Sequence, residues 1–456
     1  MNLKTLKLYF FISRKILRGD SESNRLSKPV ISIATGGIIV GIMAMMITVF
    51  IVKGFQKEVR ERAVAFGGHI QVIKNSTNNS AETLPIYEGN KTCQSLAEFE
   101  NVKHIQHYIS KNGIIKTKTE NEGILVKGVS ENYDWGFIGS HIVEGRVIKP
   151  EKDTSENFAL ISKTTADRLQ LQCNESLFVY FILTDSLVKI KLETGDTLVA
   201  TNSDLLNKIS LMSIPEKPDT SLVLKFNSKV KKFRILGIYE TGMEEFDKRI
   251  VFTTERSIEK ICNWRKDQTG AFEIILNDFE KLDETAESIG EFISGDIDLN
   301  SMSIKDTNPG IFEWLDMHDT TAWIIIALMI VVAVINMISA LIILIIEKIN
   351  LIGLLKALGM KTKKIISVFL YQAAIIISKG LLIGNILGIG LAFFQYKTHF
   401  FELDQSTYYM PFIPIKFEWT YLLLLNLGTF ATCIIFMLLP CLIIARTSPI
   451  RSIRFN

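Results

Sequence analysis

Four apolar runs, at 29–52, 322–346, 365–394 and 419–445, constrain this chain more than any other feature. At about 1.5 Å of rise per helical residue, each exceeds the roughly 30 Å hydrocarbon thickness of a bilayer. The first carries no charge, and Ser27 followed by Pro29 suits a helix start. A cleaved signal peptide has a shorter apolar stretch and a small-residue cleavage site, so an uncleaved anchor is expected. Polarity is confined elsewhere. Charged residues make up 22% of a chain whose mean hydropathy is +0.24, and the interval 53–318 reads as ordinary soluble protein. The net charge of +3 argues neither way about nucleic acid, and no nucleic-acid partner is expected.

Basic residues flank the runs unevenly. Lys4, Lys7, Arg14, Lys15, Arg18, Arg25 and Lys28 precede the first; Lys348, Lys356, Lys361, Lys363 and Lys364 fill the interval 347–364; Arg446, Arg451 and Arg454 follow the fourth. Basic flanks stay in the cytoplasm. With four spans all three clusters fall on one side, so the termini (1–28 and 446–456) and 347–364 are expected to be cytoplasmic. The interval 53–318 and the short connection 395–418 then lie outside.

The outer interval is long enough for one large or two smaller domains. It opens with a helix expected over 54–66, whose mixed charges Lys57, Glu58, Arg60, Glu61 and Arg62 suit a solvated stalk. The runs 114–119 and 124–129 flank Glu120-Asn121-Glu122-Gly123 as a hairpin. Further strand-like runs at 177–183, 188–192, 233–239, 250–253 and 272–276 join helical patterns at 163–169, 255–264 and 279–293. The expected fold is a multi-pass α-helical membrane protein with four transmembrane helices and a large α+β extracytoplasmic domain between the first and second. Cys93, Cys173 and Cys262 lie in that domain, where an odd number allows at most one disulfide. Cys433 and Cys441 are separated by about 12 Å of helical rise, too far to bond.

No catalytic constellation is present. The segment 353–362 is the nearest approach to a P-loop, but its glycine spacing is wrong and Met360 stands where the lysine must follow the second glycine. His104 and His107 stand three apart in a strand-like stretch, which turns them to opposite faces, and no metal is expected. The chain is therefore expected to be no enzyme, to hold no cofactor, and to draw energy from another subunit.

Within the apolar runs, Gly380, Gly384 and Gly388 repeat every four residues, as do Gly37 and Gly41. Small residues at this spacing let helix backbones approach in lipid, where apolar side chains gain little by leaving solvent. Lys379 is the one charge inside an apolar run. Either it is a functional intramembrane charge facing the bundle, or the helix starts late and the lysine snorkels outward. The segment 347–360 places Leu351, Leu354, Leu355 and Leu358 on one helical face, with Gly359 as C-cap, and either a soluble partner or the lipid surface could cover that face.

Several segments carry a resemblance. Gly54-Phe55-Gln56-Lys57-Glu58 and Arg60-Glu61-Arg62 follow the first span. Ile345-Ile346-Glu347-Lys348 leads into Ile352-Gly353-Leu354-Leu355-Lys356-Ala357-Leu358-Gly359, and Ala445-Arg446-Thr447-Ser448-Pro449-Ile450-Arg451-Ser452-Ile453-Arg454 follows the fourth span. With the topology, these resemble the ABC-transporter permeases of the lipoprotein-releasing LolC/LolE type, within the FtsX/MacB group, over nearly the whole chain. Asn350 and Leu351 depart from the charged residues usual there.

The resemblance implies a MacB-like periplasmic core domain over 53–318 and an FtsX-like permease domain over 322–446 of a bacterial inner-membrane protein. Two permease subunits, identical or paralogous, would bind a separate cytoplasmic ATPase that holds the ATP. Glu347, Lys348, Leu351, Leu354, Leu355, Lys356, Leu358 and Gly359 would take its push, and mechanotransmission would lift a lipoprotein from the membrane toward a periplasmic carrier. A carrier-recruiting hook would fall in 184–232, which includes Pro215 and Pro218. The alternatives are a MacB-like exporter and an FtsX-like signalling protein that activates a periplasmic hydrolase.

Overall fold

The computed structural model describes residues 27–75, 81–117, 120–150, 152–153, 157–191, 197–201 and 219–446. The chain divides into two compact units, one holding the long apolar helices and the other built from Arg60–Pro309 with Gln405–Tyr409. Helix α1 (Ser27–Gly67) runs 41 residues without a break, so the expected first span and the expected stalk are one helix. Gly68, at φ +68°, ends it in the left-handed conformation that glycine adopts without a Cβ penalty.

The large domain is built on an 11-stranded mixed sheet. Its strands are β1 (Ile70–Lys74), β2 (Val102–Lys116), β3 (Asn121–Val129), β4 (Ile142–Gly145), β5 (Phe158–Ser162), β6 (Ser176–Lys191), β7 (Thr197–Thr201), β8 (Asp219–Tyr239), β9 (Ile250–Thr254), β10 (Ala271–Leu276) and β11 (Leu299–Ser303). They lie in the order β11-β1-β10-β2-β3-β9-β5-β8-β6-β7, with β4 beside β8. β2 also pairs with β6 at Gly113↔Phe181, which closes β2, β3, β9, β5, β8 and β6 into a ring. A Cβ on Gly113 would lie 2.6 Å from Val179 Cγ1, so the ring closes where a strand carries no side chain.

Successive residues of β5 and β9 point to opposite faces, and both faces are covered. Ala159, Ile161 and Val251 join a core with Ile109, Val126, Val179, Phe181 and Ile235, while Leu160 and Phe252 join Phe66, Tyr133 and Tyr239 on the other side. Helices α2 (Lys163–Leu169) and α3 (Glu255–Cys262) contribute Ala166, Leu169, Ile258 and Ile261 to the first core. Ser162 caps α2 by accepting from the Thr165 amide. Helix α4 (Leu282–Ile293) buries Leu282, Ile289 and Ile293.

The expected hairpin is present, with Lys116↔Asn121 as its last pair, though β2 starts as far back as Val102. The runs 177–183 and 188–192 are not separate strands: β6 crosses both, and β8 begins at Asp219 rather than 233. The register runs unbroken from Ser176↔Arg234 to Lys191↔Asp219, and the backbone ladder carries the chain through Thr184-Asp185-Ser186 where apolar alternation lapses. The rest of the expected hook, at 192–196 and 202–218 with both prolines, lies outside the described residues.

The unit of long apolar helices continues with α5 (Pro309–Glu347), α6 (Ile349–Ala357), α7 (Thr362–Thr398), α8 (Trp419–Phe436) and α9 (Leu438–Arg446). Among the described residues, four helices are long and apolar enough to cross a membrane. α5 begins well before 322: Glu313, Asp316 and Asp319 conceal its first turns from hydropathy, but Ile311, Phe312 and Leu315 are buried at helical spacing. The fourth run is broken at Met437 because Pro440 has no N–H to bond back and its ring clashes with the carbonyl at 436. Ile42, Met46 and Phe50 of α1 meet Met337 and Ile345 of α5 and Phe369 and Ile377 of α7 in the bundle core. Ile324, Leu328, Leu382, Ile386, Leu423 and Leu427 are exposed, the surface a bilayer would solvate.

Candidate functional site

The connection between α5 and α7 is short and shaped. Glu347 and Lys348 form an ion pair of 3.0 Å at the end of α5, both largely buried. α6 follows at once, with Ile352 and Gly353 buried against the bundle and Leu355 half-buried beside them. Leu354 and Leu358, four apart, are 52% and 76% exposed, whereas Leu351 is half-buried. The apolar face expected at 351, 354, 355 and 358 therefore divides, two leucines anchoring and two presented to the outside. Gly359, at φ +82°, ends the element: its N–H donates to Lys356 O at 3.0 Å, and the Met360 N–H donates to Leu355 O at 3.0 Å. This double closure is the Schellman motif, and it holds the turn stiff where a helix would otherwise fray.

A second surface is a cleft of about 330 Å³ between α1, α5 and α8. Val49, Ile326, Ile330, Leu424 and Leu425 make its walls apolar. At one end Lys53 lies 3.5 Å from Asp319, and Gln56 bridges the pair by accepting from Lys53 Nζ at 2.9 Å and donating to Asp319 at 3.2 Å. The Lys53 ammonium also sits 5.1 Å from the Tyr421 ring centroid, a cation–π contact. An apolar slot ending in a paired positive and negative charge suits an amphiphile with alkyl chains and a polar head.

The glycine stripe of α7 faces α1. A Cβ on Gly380 would fall 2.7 Å from Ile38 Cγ2, one on Gly384 would fall 2.9 Å from the Ile39 carbonyl, and one on Gly388 would meet Met46 Cε and Met43. On α1, a Cβ at Gly37 would lie 2.6 Å from Asn336 of α5, but at Gly41 it would meet nothing within 4 Å, so that position does not limit the approach. Lys379 is exposed on the side of α7 away from the bundle core. Sequence patterning missed a reciprocal amide pair between α7 and α8, in which Asn385 donates to Asn426 at 2.7 Å and accepts from it at 3.1 Å. Two asparagines in apolar runs were the available signal, since a buried amide in lipid needs a partner.

Inside the large domain, Lys127 is 3% exposed at its side chain and Glu273 1%, and they pair at 2.5 Å. Lys127 also donates to Phe66 O at 2.6 Å, satisfying a carbonyl at the end of α1, and Gln106 donates to the other Glu273 oxygen at 2.8 Å. All five cysteines are unpaired.

Long apolar helices interrupted by a large domain are the architecture of a multi-pass membrane protein. A profile of MacB-like periplasmic core domains matches residues 32–292, and one of FtsX-like permease C-terminal domains matches 323–449. The chain belongs to this MacB/FtsX family of ABC-transporter permeases. The lipoprotein-releasing system transmembrane protein LolC of Xylella fastidiosa is 21% identical over 432 residues, 92% of each chain. LolC of Neisseria meningitidis is 20% identical over 98% of this chain and 99% of its own. LolE of Haemophilus influenzae is 20% identical over 96% and 97% respectively. The solved periplasmic region of MacB from Actinobacillus actinomycetemcomitans is 10% identical, covers 54% of this chain and 95% of its own, and superposes with a TM-score of 0.31.

Proposed function

We propose that this chain is a transmembrane subunit of a lipoprotein-releasing ABC transporter in a bacterial inner membrane. The observation that carries the reading is the α5–α6–α7 connection, with Leu354 exposed on a helix of nine residues and Leu358 exposed at its C-cap. An ATPase subunit in the cytoplasm grips that leucine face. Because α6 joins α5 and α7 through one or a few residues, its displacement moves both helices. Glu347, Lys348 and Lys356 with the half-buried Leu351 and Leu355 anchor the grip to the bundle, and Gly359 keeps its shape.

The cargo is a lipoprotein whose acyl chains enter the cleft lined by Ile326 and Leu425 and whose head meets Lys53 and Asp319. The names of the relatives and the apolar lining support this. A second permease subunit, identical or paralogous, completes the transporter, and a periplasmic carrier receives the cargo from the large domain. The chain itself performs no catalysis and holds no nucleotide, and the ATP sits on the partner. Both termini and α6 face the cytoplasm, in keeping with Lys348, Lys356, Lys361, Lys363 and Lys364.

Purifying the chain with its ATPase tests the proposal. Co-purified triacylated lipoprotein, discharged on ATP addition, is the expected result. An outer-membrane channel in its place would favour peptide or small-molecule export, and a cell-wall hydrolase would favour signalling. Either would overturn the lipoprotein assignment.

A further inference from the structure

We propose that Glu88, His107 and Glu255 in the large domain bind one divalent transition-metal ion, with zinc the best match. Three elements distant in sequence bring them together. His107 projects from β2, Glu255 is the first residue of α3, and Glu88 follows a short ladder in which Tyr87 pairs with Gln268 and Ile86 with Thr269. The ring nitrogen and one oxygen from each carboxylate all lie within 4.8 Å of one another.

The distances fit coordination after small side-chain rotations. His107 Nδ1 is 2.9 Å from one Glu255 oxygen and 3.2 Å from the other. Zinc–ligand bonds of about 2.0–2.2 Å place neighbouring tetrahedral donors about 3.4 Å apart. Seating the ion therefore opens the His107–Glu255 contact by about half an ångström and turns Glu88, within 4.8 Å of both, onto it. The donors are also held from behind. Thr269 Oγ1 donates to Glu255 at 2.6 Å, and the Glu88 N–H donates to Asp267 O at 3.0 Å, which fixes the backbone there. Such outer bonds orient metal ligands.

Within the cluster two carboxylates face one imidazole, an excess that a divalent cation offsets. Glu88, Glu255 and Glu259 line one cleft of about 650 Å³ together with Lys260 and Lys266. Arg256, on the same cleft, pairs with Glu131 at 2.7 Å. One nitrogen with carboxylate oxygens selects zinc or a similar borderline ion over calcium or magnesium, which prefer all-oxygen shells. Two of the three ligands are only half-buried, which leaves a coordination position open toward the cleft for water or a partner's side chain.

The test titrates zinc alone into the chelator-stripped, detergent-purified full chain, without a histidine tag, beside Glu88→Gln and His107→Gln. The expected result is about one equivalent bound tightly by the wild type, an affinity at least about tenfold weaker in each variant, and a zinc-induced rise in the unfolding temperature that both variants lose. Glu88→Gln replaces a rim residue and leaves the sheet core intact, so it separates lost ligation from lost folding. No binding by the wild type, or equal affinity in a folded Glu88→Gln chain, would overturn the site.

Discussion

In the large domain a charged pair, Lys127 with Glu273, is sealed inside the sheet, whereas in the membrane bundle the closest approaches are made by residues with no side chain at all. The two units meet opposite problems. A domain in water gains by burying apolar area and can sustain an internal ion pair if every lone pair and proton is used, as Phe66 O and Gln106 use them here. Helices in lipid gain nothing from that burial and must find contact and hydrogen bonds instead, which Gly380, Gly384 and Gly388 supply with the Asn385–Asn426 pair. A given substitution should therefore act differently in the two places, and the contrast can be broken.

The largest effect is expected at Glu273. Glu273→Ala strands a buried ammonium and should cost about 3–5 kcal/mol, while the double change Lys127→Met with Glu273→Leu should recover most of the loss. Hydrogen exchange across β3 and β10 reads this, and a double variant no better than the single one would mean that the pair's charge is not what matters. Next comes Gly384→Leu, expected to destabilise the bundle by about 3 kcal/mol because the Ile39 backbone cannot yield, whereas Gly390→Ala, with open space around it, should be neutral or slightly stabilising. Equal sensitivity at the two glycines, measured by unfolding in mixed micelles, would remove close approach as the organising device.

A comparable effect depends on pH. Burial, reinforced by the charge of Lys103, holds His69 down to about 4, and its Nδ1 accepts from the Leu276 N–H at 3.2 Å. Between about pH 6.5 and 4 the unfolded chain takes up a proton that the folded one refuses, so the contribution is complete above pH 6.5 and is lost as pH falls through that window. About 3 kcal/mol should disappear from the large domain by pH 4, and His69→Asn, which keeps an acceptor but does not titrate, should flatten that part of the profile. Parallel unfolding curves for wild type and variant across pH 4–7 would contradict the assignment. The smallest effect is expected at Lys379: Lys379→Met should leave transport within about twofold, since the side chain is exposed away from the bundle core. A severe loss would make it a functional intramembrane charge.

Hydropathy was sufficient to locate the spans because each is apolar over its membrane length, Lys379 being the one charge, and the α6 turn was legible from leucine spacing and Gly359. The early start of α5 was hidden by acidic residues on its wet face. The ring closure between β2 and β6 could not be read, because pairing Gly113 with Phe181 depends on register across distant segments and not on local pattern. The same limit concealed the Glu88, His107 and Glu255 cluster: spacing compared His107 with its neighbour His104, while its partner Glu255 stands 148 residues away. Leu354 and Leu358 could be placed on a helical face from sequence, but which leucines faced outward required the bundle.

In the proposed mechanism force enters through that outward leucine pair. This is tested most directly by Leu354→Asp in the chain co-expressed with its ATPase, with membrane insertion checked in the same preparation. Normal insertion is expected, with ATPase retention reduced at least about tenfold, the cost of seating a charge in an apolar pocket. Undiminished ATPase retention by a correctly inserted Leu354→Asp chain would contradict it.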